Sequence, residues 1–434
     1  MKPYPKYKES GIEWIDAIPE HWGISKIKRL ANGLPNSFID GDWIELPHIT
    51  DDGVRLIQTG NIGVGAYKEK GYRYISEESF NTLRCTEVAP QDILICRLAD
   101  PVGRACLAPN MASKMITSVD VCILKPSKDY DARFIVYQLS THEYLNFLDA
   151  ISRGGTRDRI SRTMLGAIDF MSPPLAEQRA IATHLDDKIR KIDALVEKKQ
   201  RLIDLLKEQR TTIINQLVTT GINPSVRMKD SGIEGIGRIP EHWEVKKVKN
   251  EFAFLDHKRV PLSSEERGAM AEKVYDYYGA SGVIDKVENY LFNETLILVG
   301  EDGANLYSRS TPLAFLATGK YWVNNHAHIL RPTRGNINYL VHMLESLDYT
   351  PYVSGSAQPK LTIDNLANIK IPVPPVEEQR LILEHLNIEM NRIDAIGSLA
   401  QKHTDLLQEI RTALISEVVT GKIDVREHAS GKND

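Results

Sequence analysis

Hydrophobic and polar positions along the chain fall into three kinds of pattern, and all three occur twice in the same order. The first is a short alternation, Ile24-Ser25-Lys26-Ile27-Lys28, matched by Val245-Lys246-Lys247-Val248-Lys249. Apolar residues interspersed with lysine over so short a run predict a strand with a lysine face. The second is a stretch of short β-rich runs punctuated by Gly, Asn, Asp and Pro, roughly residues 31–155 and 251–355. Its predicted strands include residues 92–96, 119–124, 295–299 and 326–330, and helical stretches near 134–147 and 337–347 close each insert. Each insert reads as an α+β globule. The third is a long helical period. Over 175–218 its apolar positions are Ile181, Leu185, Ile189, Ile192, Leu195, Val196, Leu202, Leu206, Ile213 and Leu217. Over 376–419 they are Ile382, Leu386, Ile393, Ile396, Leu399, Leu406, Leu407, Ile410, Leu414 and Val418. Neither stretch contains proline, and each follows a Pro-Pro pair, where a helix begins readily but cannot continue. Two helices of roughly 65 Å are predicted. A lone amphipathic helix of that length cannot bury its stripe, so the simplest partner for each is the other.

Residue identity reinforces the pattern. Residues 9–22 return as 230–243 with ten of fourteen positions the same, both copies ending Ile-Pro-Glu-His-Trp. Pro173-Pro174-Leu175-Ala176-Glu177-Gln178-Arg179 returns as Pro374-Pro375-Val376-Glu377-Glu378-Gln379-Arg380. The first pair is offset by 221 residues and the second by 201, so the first insert is 20 residues longer. The expected fold class is α+β: two globular α/β domains separated by two long helices forming an antiparallel coiled coil, a pseudo-two-fold internal repeat. The expected boundaries are 1–174, 175–220, 221–375 and 376–434.

Composition narrows the picture. A chain of 434 residues with 42% hydrophobic and 26% charged residues is an ordinary soluble composition of two to four domains. No apolar run approaches the roughly 18 residues that span a bilayer, and residues 1–6 lack the apolar core of a signal peptide. Cys85, Cys96, Cys106 and Cys122 match no zinc spacing or disulfide framework and read as reduced thiols of a cytoplasmic protein. The net charge of −4 argues against a surface wholly devoted to nucleic acid and confines any DNA grip to local basic patches.

The two Ile-Pro-Glu-His-Trp boxes, the two Pro-Pro-x-x-Glu-Gln-Arg helix starts and the unlike inserts between them resemble the specificity subunit of Type I restriction–modification enzymes. The likeness covers nearly the whole chain and extends to Ile192-Asp193-Ala194 and Ile393-Asp394-Ala395. It implies that each insert is a target-recognition domain reading one half of a split DNA sequence. It implies that the helices set the gap between half-sites and dock two modification subunits, which bind S-adenosylmethionine and methylate adenine. Restriction subunits would then join for ATP-driven translocation and cleavage. No cofactor and no catalysis are expected of this chain itself. Ser172-Pro173-Pro174-Leu175 and Val373-Pro374-Pro375-Val376 lack both the Asn or Asp and the aromatic of an amino-methyltransferase box, and no GxxxxGK[ST] loop is present. The competing class is a scaffold that brackets two protein or small-molecule ligands without DNA.

Candidate site residues follow from chemistry. The turns before each Pro-Pro bring glycine together with cations: Arg153, Gly154, Gly155, Thr156, Arg157 and Arg159 in the first half, Ser356, Gln358 and Lys360 in the second. Glycine lets backbone N–H groups approach a phosphate while Arg and Lys supply counter-charge. The plainer alternative is a surface turn. Lys26, Lys28, Lys247 and Lys249 either track phosphate or protect strand edges. Arg55, Gln58, Arg97, Arg104, Lys258, Arg259 and Asn305 are of types that read base edges. Glu177, Gln178, Arg179, Glu378, Gln379 and Arg380 are candidates for partner docking, because the helix starts repeat better than the inserts. His326 and His328 read as a packed, hydrogen-bonded strand rather than a metal site, and Trp22 and Trp243 as core anchors.

Overall fold

The computed structural model describes residues 2–152, 158–355 and 358–426. The chain divides into two compact units, 1–199 with 402–434, and 200–401. Each takes in part of both long helices, so neither unit ends at a Pro-Pro.

The first unit opens with a hairpin, Tyr7–Ile12 against Ile15–Pro19. Strand Gly23–Lys26 then pairs antiparallel with Asp169–Ser172, which leads directly into Pro173-Pro174. This pairing brings the two repeated boxes together across the whole insert. The insert folds into two four-stranded sheets. One is antiparallel, in the order Phe38–Asp40, Val121–Leu124, Ile93–Cys96, Ala105–Leu107. The other runs Met115–Thr117, Val54–Ile57, Tyr74–Ile75, Ile49–Thr50, with its first pair parallel. Ile93–Cys96 and Val121–Leu124 are buried at every position, as strands covered on both faces must be.

The second unit repeats this plan. Its hairpin is Met228–Asp230 with Arg238–Pro240, and Glu244–Lys247 pairs antiparallel with Lys370–Val373 ahead of Pro374-Pro375. One sheet runs Phe252–Phe254, Ala327–Pro332, Leu296–Gly300, Ala314–Ala317. The other runs Gly282–Val287, Tyr275–Gly279, Lys320–Val323, Phe292–Asn293, again with one parallel pair.

The long helices are Leu175–Thr220 and Val376–Val419, within two residues of the predicted spans. In the first unit Ile181, Leu185 and Ile189 share a core with Ile415, Val418 and Val419, and Arg411 meets Asp193 at 3.0 Å. In the second, Leu217 and Val218 share a core with Ile382 and Leu386, and Arg210 meets Asp394 at 2.6 Å. Asp394 and Arg411 are the 201-residue repeats of Asp193 and Arg210, so one antiparallel contact is made twice.

Three expectations are corrected. The lysine strands stop early: Lys28 lies on the 3-10 turn Ile27–Leu30 and Lys249 on the short helix Val248–Glu251. The helix expected over 134–147 is two, Ala132–Gln138 and His142–Ile151, because the Thr141 hydroxyl caps a new N-terminus by accepting from Tyr144 N. Finally, Leu195, Ile396, Leu399, Leu406 and Ile410 do not join the helix–helix seam; each is exposed. A helix with a single packing partner buries one stripe, and apolar residues on the next stripe stay in water.

In the first unit the segment after the second long helix closes on the segment before the first hairpin. Asp424 N donates to Lys2 O at 2.9 Å, Tyr7 Oη to Gly421 O at 3.0 Å, and the Arg426 guanidinium lies 4.9 Å over the Tyr4 ring. Val425 is fully buried there.

Candidate nucleic-acid interface and docking surface

Where the boxes meet, a glutamate from each helix start clamps the box of its own unit. Glu177 is buried and accepts from Tyr4 Oη, from Trp22 Nε1 at 3.0 Å, and lies 2.8 Å from His21 Nε2. Burial and the Glu177 carboxylate push the Tyr4 phenol well above its ordinary value. In the second unit Glu378 meets His242 Nε2 at 2.7 Å, while Trp243 Nε1 is buried with no partner among the described residues. Trp22 and Trp243 are both fully buried, as expected of anchors. The neighbouring glutamines are also committed. Gln178 donates to Pro173 O at 2.7 Å and accepts from Asp131 N at 3.0 Å; Gln379 donates to Pro374 O at 3.0 Å and accepts from Asn336 N at 2.8 Å.

Thus Glu177, Gln178 and Gln379 are interior staples and present no docking surface, and Glu378 is mostly covered. Arg179 and Arg380 remain exposed, the latter paired with Glu377 and Glu384. A surface that the sequence reading passed over lies further along the second helix. Leu381, Ile388, Ile396 and Leu399, all exposed in the second unit, fall within an arc of roughly 80° at 100° per residue. The first helix carries Ala180, Asp187, Leu195 and Lys198 at the repeat-equivalent positions. The signal available was a second heptad seam beside the first.

Most of the arginines expected to read bases are structural. Arg104 is buried and donates to four carbonyls: Ile62, Leu98 and Pro101 at 2.8 Å and Thr59 at 3.0 Å. It pins two loops together. Arg55 is buried against the Tyr72 and Tyr74 rings and donates to Lys70 O at 3.2 Å. Arg97 is buried, 3.1 Å from Asp40 Oδ1, and donates to Val119 O at 2.6 Å and Ile160 O at 3.3 Å. Arg259 bonds Glu301 and Asp256. Arg104 has every guanidinium nitrogen bonded to the chain, and the Nε left without a hydrogen bond in Arg55 and in Arg97 is buried, so none of the three offers a base edge a free, exposed donor. Asn305 closes its own loop through Thr311, and Gln58 caps a turn with Asn61. Lys258 alone of that group is exposed, its ammonium without a partner among the described residues.

Lys26 pairs with Asp169 at 2.6 Å and Lys247 donates to Asn368 at 3.1 Å, whereas Lys28 and Lys249 are exposed. Arg153, Gly154, Gly155, Thr156, Arg157 and Ser356 lie outside the described residues. Gln358 is exposed in a tight turn closed by reciprocal Ser354–Lys360 backbone bonds of 2.9 and 2.8 Å. Gly355 sits at φ +87°, and a Cβ there would approach Gln358 O to 2.5 Å, so this turn needs glycine.

Arg159 and Lys360, the last cations of the two turns, occupy equivalent places. Arg159 is bridged to Leu98 just past strand Ile93–Cys96, and Lys360 to Asp302 just past strand Leu296–Gly300. Each is about half exposed and each meets a carboxylate: Arg159 reaches Asp120 at 2.9 Å and Lys360 reaches Glu301 at 3.1 Å. Around Glu301 lie Arg259, His328 and Asp256. His328 is buried on its strand, with Nδ1 2.6 Å from Asp256 and Nε2 2.7 Å from Leu361 O. His326 precedes the strand and meets Asp302. Asp256, Glu301 and His328 would be close enough to share an ion, but Arg259 and Lys360 already supply the positive charge and both imidazole nitrogens are occupied. Burial raises the affinity of Glu301 for a proton, yet Arg259, His328 and Lys360 together hold it below the usual glutamate range. The four thiols are free, and burial pushes Cys106 up to about 12 and Cys85 to about 11, so neither is a nucleophile at neutral pH.

Two units of one plan, each closing the same box onto a long helix and each presenting a different rim of side chains around Arg159 or Lys360, define a protein with two distinct surfaces on one repeated frame. Comparison with known proteins fixes the class. Residues 56–204 and 240–400 match the family described as "Type I restriction modification DNA specificity domain", and the chain belongs to that family. It is similar to the putative type I restriction enzyme MjaX specificity subunit of Methanocaldococcus jannaschii, 23% identical over 97% of this chain and 98% of that one. The putative specificity subunit S.HindORF215P of Haemophilus influenzae is 36% identical over 26% of this chain and 29% of its own length. Among solved structures, the HsdS subunit from Thermoanaerobacter tengcongensis shares the fold with a TM-score of 0.50 at 13% identity, over 94% of this chain and 98% of that one. A chain from a structure of type I restriction–modification complex assembly has a TM-score of 0.62 at 14% identity, over 94% and 99%. This chain is therefore the non-catalytic DNA-recognition component of such a system, acting with its other subunits, and the ligand-scaffold alternative has no support. No helix among the described residues is long and apolar enough to cross a membrane.

Proposed function

We propose that each unit reads one half of a bipartite duplex sequence, and that the two long helices set the half-site spacing and carry two modification subunits. Those subunits would bind S-adenosylmethionine and methylate adenine, restriction subunits would join them, and the complex would work in the cytoplasm. The observation that supports this most is one frame, clamped by the same Glu–His contact in both units, around two rims of unlike side chains. Unlike rims on a common frame favour two different half-sites over a palindrome. Helix length converts to distance at about 1.5 Å per residue, which suits a spacer. Arg179, Arg380 and the exposed Leu381–Ile388–Ile396–Leu399 stripe are the docking surface, because a heptad-spaced apolar face fits the apolar face of another helix.

The test is exchange of residues 31–155 for the matching insert of another specificity subunit, followed by methylome sequencing of a strain with the intact system. One half-site should change and the other stay. Loss of both half-sites would overturn modular reading.

A further inference from the structure

Arg159 and Lys360 are the same position in the repeat, yet the acids that hold them are not. Asp120 comes just before strand Val121–Leu124, whereas Glu301 comes just after strand Leu296–Gly300. In sheet register Glu301 stands where the first unit has Arg97, since Ile95 faces Cys122 as Val299 faces His328. Each unit therefore reaches the same cation–carboxylate contact from a different strand. The shared frame did not supply that contact, and a half-exposed ion pair adds little to folding.

The contact does govern what an approaching phosphate meets. Non-specific duplex binding is almost wholly a matter of free cations displacing counterions. Arg159 and Lys360 in the unbound chain are already neutralised, with side chains 49% and 52% exposed. Either can leave without stranding a charge. Glu301 keeps Arg259 and His328, and Asp120 keeps Arg97 at 4.0 Å. A carboxylate with a second partner is able to give up its first, whereas one without would be left buried and unpaired.

We propose that Asp120 and Glu301 restrain phosphate binding by the two units. They hold Arg159 and Lys360 back from random DNA and release them to a backbone phosphate only when the unit is seated on its own half-site, where its other contacts offset the broken ion pair. The proposal rests on the DNA-recognition reading above and adds to it the side chains that hold its phosphate-binding cations in check.

The experiment uses the full chain assembled with its modification subunits. Binding to random-sequence duplex and to duplex bearing the methylome-defined target is measured across a salt series for wild type, Asp120→Asn, Glu301→Gln, Arg159→Gln, Lys360→Gln and Glu301→Gln/Lys360→Gln. Each acid variant should bind random duplex about threefold to tenfold tighter at low salt, with the log–log salt slope steeper by about 0.9. Affinity for the target should tighten at least as much, because seating no longer has to break an ion pair. Arg159→Gln and Lys360→Gln should each flatten the slope on target by about 0.9, and the double variant should return random binding to the wild-type value. Unchanged random binding in folded acid variants overturns the proposal, as does an unchanged target slope in the cation variants. If Glu301→Gln lowers the melting temperature, Asp120→Asn and Lys360→Gln decide. A wild-type complex without sequence preference would instead defeat the recognition reading itself.

Discussion

At the same place in the two sheets, one unit buries an arginine and the other a glutamate. Arg97 lies among Asp40, Asp120 and carbonyl oxygens; Glu301 lies among Arg259, Lys360 and His328. The strand facing them carries Cys122 in one unit, bonded to Asp40, and His328 in the other, bonded to Asp256. The backbone plan tolerates reversal of the central charge because each unit recruits partners of the opposite sign from different elements. What the fold requires at this point is a satisfied polar node beside the last turn before Pro-Pro, not a particular sign.

The most severe way to break that comparison is to copy one node halfway into the other. Arg97→Glu would set a buried carboxylate beside Asp40 and Asp120 with its cation gone, a loss of about 3–5 kcal/mol. Calorimetry should show the first unit melting early while the second is unmoved. A trace like the wild type would mean that the nodes are interchangeable. A smaller contrast separates the two clamps. Glu177 receives Tyr4, Trp22 and His21 and is buried, whereas Glu378 meets His242 alone and is partly exposed. Glu177→Ala should cost about 3 kcal/mol and Glu378→Ala about 1 kcal/mol in denaturant titration. Equal losses would show that the donors to Glu177 add nothing.

The smallest effect is a divergence with pH. Burial raises Asp92 despite its bonds from Ala89 N and Lys125, so its ionisation opposes folding at neutral pH, and that penalty fades as pH falls through the raised value. Glu301 is shifted the other way. Its contribution is complete above the ordinary glutamate range and is lost as pH falls through the lowered value. Between about pH 6 and pH 3 the second unit should lose melting temperature relative to the first. Asp92→Asn should flatten the first trend and Glu301→Gln the second; parallel drift in all three proteins would contradict the assignment.

How much of this was legible beforehand depends on whether a residue acts through its neighbours in sequence or across the fold. Helix extents were readable because Pro-Pro and the apolar period are local signals, and the strands around Leu94 and Leu298 because apolar runs bounded by turn residues are too. A buried arginine and an exposed one are the same letter, so in the sequence Arg55, Arg97 and Arg104 have the look of base readers. Their partners are carbonyls up to 63 positions away. Nothing in a linear sequence shows that Trp22 and Asp131 come to meet Glu177 and Gln178 and take them from a docking surface. Yet the recurrence of Glu with His and Trp in both halves was a usable hint of contact. On the second helix the exposed apolar face with Leu381 and Ile388 adjoins the seam face, and a linear apolar period does not separate the two.

The pairing of Lys2 with Asp424, with Val425 packed beneath, has a consequence for biosynthesis. Residues 200–401 form one uninterrupted stretch and can finish folding soon after leaving the ribosome. The globule that begins to emerge first must wait for residues 402–426 before its last strand contact and its helix packing are in place. Translation thus completes the two readers in reverse order of their appearance, and the earlier one stands open, its hairpin unsealed, until residues 402–426 have been made.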